Sequence, residues 1–115
     1  MKLNDIKDKI EKSVIALASS DNLGTPHNIA VMFAKVKDDK IIITDNYMKR
    51  TIENIKNNPK VSLAFWKSED GIGIEGKGEY FNSGKNLEFV KSLPENKEHP
   101  AKGAIVVSVE NIRKL

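Results

Sequence analysis

ITDNYMKRTIENIKNNPKVSLAF, residues 43–65, is the stretch that decides the fold. It reads as a strand end, a turn, a short helix, an Asn-Pro stop and a second strand. Met48, Ile52 and Ile55 recur at i, i+4 and i+7, which is one face of a helix. Asn58 precedes Pro59, a pairing that disfavours helical geometry and ends the helix there. Lys49 and Arg50 fall where the helix begins, although a helix N-terminus carries partial positive charge and favours anions. Free amide hydrogens and two cations at one point call for an anionic partner, and a phosphate is the natural one. Thr51 adds a hydroxyl beside the pair. The plainer alternative is two solvated charges on a surface.

Working outward, Leu3, Ile6 and Ile10 have helical spacing, and residues 3–12 read as a short amphipathic helix. Residues 14–20 (VIALASS) form a compact apolar run expected to be a buried strand. Asp21 to Pro26 is dense in turn formers and implies a hairpin into a second strand over 28–36. Lys37 to Lys40 make another polar turn, and the β-branched run 41–44 (IIIT) a third strand. A fourth strand follows at 61–66 and a long, glycine-rich fifth at 72–81. Leu87, Val90 and Leu93 mark a brief helix over 86–93. Residues 93–103 hold two prolines and no apolar periodicity, so a loop is expected there. Residues 104–109 (AIVVSV) make a sixth strand. Six short strands with tight turns and minor helices predict a mainly β fold, an antiparallel barrel that is closed or partly closed.

Composition narrows the chemistry. The 115 residues predict a single domain over 1–115, able to bury roughly 65% of its unfolded surface. There is no cysteine, which excludes disulfides and iron–sulfur clusters, and the only histidines are His27 and His99, a poor supply for a transition-metal centre. The net charge is +3, with the two signs interspersed, which fits a solvated surface better than the basic stripe of a nucleic-acid binder. No stretch has the length of a membrane span or the apolar core of a signal peptide, so a cytoplasmic location is expected.

Gly71, Gly73 and Gly76 spell G-x-G-x-x-G, the dinucleotide fingerprint, but the motif needs a preceding strand and a helix opening at it. Here Glu75, Lys77 and Glu79 alternate with Ile74 and Tyr80, so the glycines lie within a strand, where they serve a bend or a close backbone approach. Phe65 and Trp66 are neighbours on one strand and must point to opposite faces. One fills the core; the other is left for a partner subunit or a planar ligand. His27 and His99 carry no partner at catalytic spacing, and Glu69 with Asp70 sits in a loop where adjacent carboxylates rarely converge. No general acid or base emerges.

Taken together, several segments resemble the flavin-binding split-barrel family typified by pyridoxamine phosphate oxidase, and more closely its small bacterial FMN-binding members. They are the run 14–18 before the Gly24, Pro26, His27 hairpin; Ile42-Ile43-Thr44; Met48 to Thr51 with Asn54; Pro59-Lys60-Val61; and Ile74 to Glu79. The likeness covers residues 10–110, and the order and spacing of the segments carry it. The resemblance implies a six-stranded antiparallel split barrel of the FMN-binding type, a homodimer with FMN at the subunit interface. It gives the phosphate to Lys49, Arg50 and Thr51, with Thr44 as a further candidate. It lays the isoalloxazine ring along Ile29, Ala30 and Val31, and along Ile43, Asp45 and Asn46, with Trp66 reaching the flavin across the dimer.

The chain departs from the oxidase itself at the second strand, where Ile29 and Ala34 replace basic residues, and it carries no C-terminal arginine and histidine motif. True pyridoxamine phosphate oxidation is therefore not expected. The implied role is a flavoprotein of electron transfer or a small flavin-dependent oxidoreductase, with an unknown redox partner, no nucleic acid and no membrane. The rivals are a split barrel holding deazaflavin F420 or haem, and a β-barrel nucleic-acid binder using Lys49, Arg50, Lys56, Lys60 and Trp66.

Overall fold

The computed structural model describes residues 1–115 as seven strands and three α-helices. The strands are β1 (Ile15–Ser20), β2 (Pro26–Val31), β3 (Ala34–Lys37), β4 (Lys40–Asp45), β5 (Lys60–Lys67), β6 (Asp70–Phe81) and β7 (Gly103–Lys114). The helices are α1 (Lys7–Lys12), α2 (Arg50–Asn57) and α3 (Lys85–Lys91), with single 3-10 turns at Leu3–Ile6 and Pro94–Asn96. No helix is long and apolar enough to cross a membrane.

All strands join one antiparallel sheet in the order β2-β1-β5-β6-β7-β4-β3. The two edge strands, β2 and β3, are consecutive in the chain and separated only by Met32 and Phe33. Laid flat, six gaps of about 4.8 Å would hold them ~29 Å apart. The three Cα steps from Val31 to Ala34 reach at most ~11 Å. The sheet must therefore curl until its edges meet; the Thr44 amide, donating to the Phe33 carbonyl at 3.3 Å, extends the β3–β4 ladder back into the connecting corner. This is the antiparallel split barrel expected from the sequence.

One expectation needs correction. The second strand, read as continuous over 28–36, is two strands broken at Met32–Phe33, so the sheet has seven strands rather than six. The break is the corner that closes the curl, and neither residue is a glycine or proline that would announce it. The last strand also runs on to Lys114, five residues beyond the expected end. Its extra length pairs with the start of β6, through a bulge opposite Glu75 and Gly76 that leaves Glu110 unmatched. Gly76 is required there, because a Cβ would sit 2.3 Å from the Ser108 carbonyl oxygen.

The isoleucine run 41–43 shows how the core is divided. Ile41 and Ile43 are fully buried inside the barrel, while Ile42, on the opposite face, is covered by Leu87 and Val90 of α3. Burial on both faces explains a strand without alternation. Leu3, Ile6 and Ile10 join the main core from the N-terminal helical turns, and Ile52 and Ile55 from α2. Burying each such side chain stabilises by about 1.5–3 kcal/mol. The Glu11 carboxylate accepts the Val36 amide at 2.9 Å, which satisfies an otherwise open donor of edge strand β3.

Candidate functional site

The turn 46–49 leaves the end of β4 and delivers α2 with Lys49 as its N-cap residue and Arg50 as its first helical residue. Both side chains are exposed. Lys49 offers no side-chain cap, so the first amides of α2 are left for solvent or a ligand. The helix is fixed from behind: the Asn54 amide donates to the Ser19 hydroxyl at 3.1 Å and that of Asn58 to Ser20 at 3.0 Å. Asn58 is extended (φ −142°, ψ 104°), which is the stop that Pro59 imposes. Two cations and an uncapped helix start are thus held at one rigid point, an arrangement suited to a phosphate.

Asp45 sets the turn from below. It is 2% exposed; its Oδ1 accepts the Met48 amide at 2.9 Å and its Oδ2 the Tyr80 hydroxyl at 2.7 Å. Burial, then the hydrogen bond to Asp45 and its charge, push the Tyr80 hydroxyl up to about 12. A second brace comes from Asn96, 7% exposed, which donates to the Thr44 hydroxyl at 3.1 Å and the Val90 carbonyl at 2.8 Å. Its Oδ1 accepts from Asn46, which also reaches the Pro100 carbonyl at 2.8 Å. The segment 96–102 is thereby zipped to the cationic turn. Beside it the exposed Tyr47 hydroxyl lies 3.1 Å from His99 Nδ1, and the His99 ring leans on Phe33.

The expected residues divide into those the fold presents and those it buries. Lys49, Arg50 and Trp66 are exposed, Trp66 by 65% while its neighbour Phe65 is 3% exposed in the core. Ala30 is exposed and Ile29 half-buried on β2, an edge strand with half of its backbone groups unpaired by the sheet. Val31, Ile43, Thr44 and Asp45 are buried, and the polar side chains of the last two are engaged within the chain. Thr51 faces inward at 1% exposure, and Asn46 is half-buried in the Asn96 brace. Sequence reasoning passed over Asn96, Tyr80, Lys102 and the Tyr47–His99 pair, none of which belongs to a spaced motif.

Ile29, Ala30 and Trp66 line an open groove of about 1150 Å³, together with Ala16, Phe65 and Ile72. A smaller polar cleft of about 530 Å³ lies between the β1–β2 turn and α2, with Arg50 facing Asp21, Thr25 and Asn54. The Asp21 carboxyl is held below its usual range, first by the Thr25 amide; the Leu23 amide and the nearby Arg50 charge add to this. The groove takes in Asn28 to Ala30 and the cleft takes in Pro26, so β2 links them over about 13 Å. A ligand with an anionic end and a flat apolar end fits that arrangement.

Comparison with known proteins agrees with this architecture. A protein of Methanocaldococcus jannaschii is 29% identical over 112 residues, covering 92% of this chain and 75% of that protein. The structure of HupZ from Group A Streptococcus superposes with a TM-score of 0.89 at 25% identity, over 100% of this chain and 94% of the other. An FMN-binding protein from Syntrophomonas wolfei shares the fold with a TM-score of 0.77 at 15% identity, over 97% and 87% of the two chains. The fold also recurs in an F420 reductase (TM-score 0.74, 20% identity, 93% and 94% covered). HutZ, the heme storage protein of Vibrio cholerae, has it too (TM-score 0.74, 14% identity, 99% and 95% covered). The model of the family described as pyridoxamine 5'-phosphate oxidase matches residues 4–115, and on that match the chain belongs to the pyridoxamine 5'-phosphate oxidase family.

Proposed function

We propose that this chain is a homodimeric FMN-binding flavoprotein that works in electron transfer or as a small flavin-dependent oxidoreductase. The observation that carries the reading is the exposed Lys49–Arg50 pair at an uncapped helix start, on a split barrel whose edge strand β2 leads from it to an apolar groove. Bound FMN would supply the redox chemistry; the chain supplies phosphate anchoring, ring orientation and exclusion of water. The groove exceeds the 300–1,000 Å³ of an ordinary small-ligand pocket and is open on one side, as expected of a half-site that a second copy completes. Its rim mixes Lys9, Lys12, Lys67 and Lys114 with Asp8, Glu69 and Asp70, and such a mixture can complement itself across a two-fold axis. The same carboxylates around Trp66 disfavour a nucleic-acid backbone there.

The test is the visible spectrum of the purified protein and a titration with FMN. A flavin absorbance that stays with the protein, or micromolar or tighter uptake of added FMN, supports the reading; a colourless protein that ignores FMN refutes it. Relatives described as an F420 reductase and a heme storage protein make those two cofactors the alternatives, and mass spectrometry of the released group distinguishes all three.

A further inference from the structure

We propose that Lys102 is a third cation of the phosphate end of this site, brought there by the hydrogen bond of its backbone amide to the Asp45 carbonyl. The inference rests on the FMN-phosphate reading above. Lys102 is the last residue before β7, and its amide donates to the Asp45 carbonyl at 2.9 Å, which ties its backbone to the end of β4. The next residue, Gly103, allows that approach: a Cβ there would fall 2.3 Å from the Tyr80 hydroxyl oxygen. The Lys102 ammonium lies 3.5 Å from the Met48 carbonyl and 4.0 Å from Asp45 Oδ1. Met48 immediately precedes Lys49, so the ammonium stands beside the turn that carries the other two cations.

Charge-assisted hydrogen bonds of an ammonium run at about 2.7–2.9 Å, and neither contact is that short. Both Asp45 oxygens already accept closer donors, from Met48 and Tyr80. The Lys102 side chain is 48% exposed, against 3% for Asp45, so its ammonium keeps donors directed to solvent. A cation anchored at its backbone, loosely held at its tip and adjacent to an uncapped helix start is placed to close on a dianionic phosphate. The competing account is that Lys102 serves only as the counter-charge of buried Asp45. The two accounts differ in one respect: only the first makes Lys102 distinguish FMN from riboflavin, which lacks the phosphate.

Parallel titrations of the purified protein with FMN and riboflavin, read by flavin fluorescence, separate them. Lys102→Gln and Lys102→Met are expected to weaken FMN binding by about 5-fold while leaving riboflavin affinity unchanged, and Lys102→Arg to keep the wild-type ratio. Equal weakening toward both flavins, or no weakening, overturns the assignment. Thermal unfolding without ligand checks that each variant is folded. If the wild-type protein itself binds FMN no better than riboflavin, the phosphate reading falls and this inference falls with it. A wild-type preference that persists undiminished in both neutral Lys102 variants refutes the inference alone.

Discussion

Changing Lys49 and Arg50 together to alanine should move ligand binding and bare stability in opposite directions. Both side chains are exposed, neither has a hydrogen-bonded partner in the chain, and both stand at the positive end of α2. In the ligand-free protein their removal relieves an unfavourable interaction with the helix dipole, worth about 0.3–1 kcal/mol at low salt, and gives up in return only the screened attraction of Arg50 for Asp21. Stability should therefore stay level or rise slightly. Binding should fall: each exposed cation facing a phosphate contributes roughly 0.2–1 kcal/mol, so the pair amounts to a loss of about 10-fold and at most ~30-fold in FMN affinity. The loss should shrink as salt rises, because exposed charges are screened over about 10 Å at 0.1 M. Calorimetric FMN titrations at two salt concentrations, with urea unfolding of the ligand-free protein, make the measurement. FMN affinity unchanged in the double variant refutes the reasoning, and so does a loss fully explained by lower stability.

Other outcomes follow from the same geometry. Tyr80 is raised to about 12 in the folded state against about 10 unfolded, so its contribution is complete below pH 10 and is lost as pH rises from 10 to 12. Urea midpoints across that range should fall more steeply for wild type than for Tyr80→Phe; parallel profiles would remove Tyr80 as the cause. Gly76→Ala places a methyl group 2.3 Å from a backbone oxygen that cannot turn aside, and should cost ~2 kcal/mol or more, read as a lower urea midpoint. Ile42→Ala empties the contact between β4 and α3 and should cost about 2–4 kcal/mol, with α3 amides losing hydrogen-exchange protection before those of β6.

Much of the architecture was legible because it follows from local rules. The Asn58-Pro59 stop, the Phe65/Trp66 alternation and the rejection of Gly71-x-Gly73-x-x-Gly76 as a dinucleotide loop each rest on a few adjacent residues, and the fold keeps all three. What the sequence hid are consequences of closure. Met32 and Phe33 look like strand residues and become a corner only because two sheet edges must meet. The segment from Glu110 to Lys114 looks like a polar tail and becomes strand because β6 extends far enough to pair with it. At the candidate site, the exposed cations could be read from helix position, but the inward turn of Asp45 and Thr51 could not. Asn96 serves as a brace through contacts 50 and 52 residues away in sequence, and an isolated asparagine gives no sign of them.

The strand order has a further consequence, for how the chain is made. The centre of the sheet, β5-β6-β7, lies wholly within residues 60–114, while the two hairpins β1–β2 and β3–β4 dock on its opposite flanks. Residues 15–45 leave a ribosome as two hairpins with no shared strand to pair on, and an isolated hairpin is marginal at best. Assembly must wait for residues 60–114, and β3–β4 in particular must wait for β7. Emergence of β7, rather than of the strands before it, is then the step that commits this domain to its fold, and a ribosome stalled before residue 103 would display strands open to a chaperone.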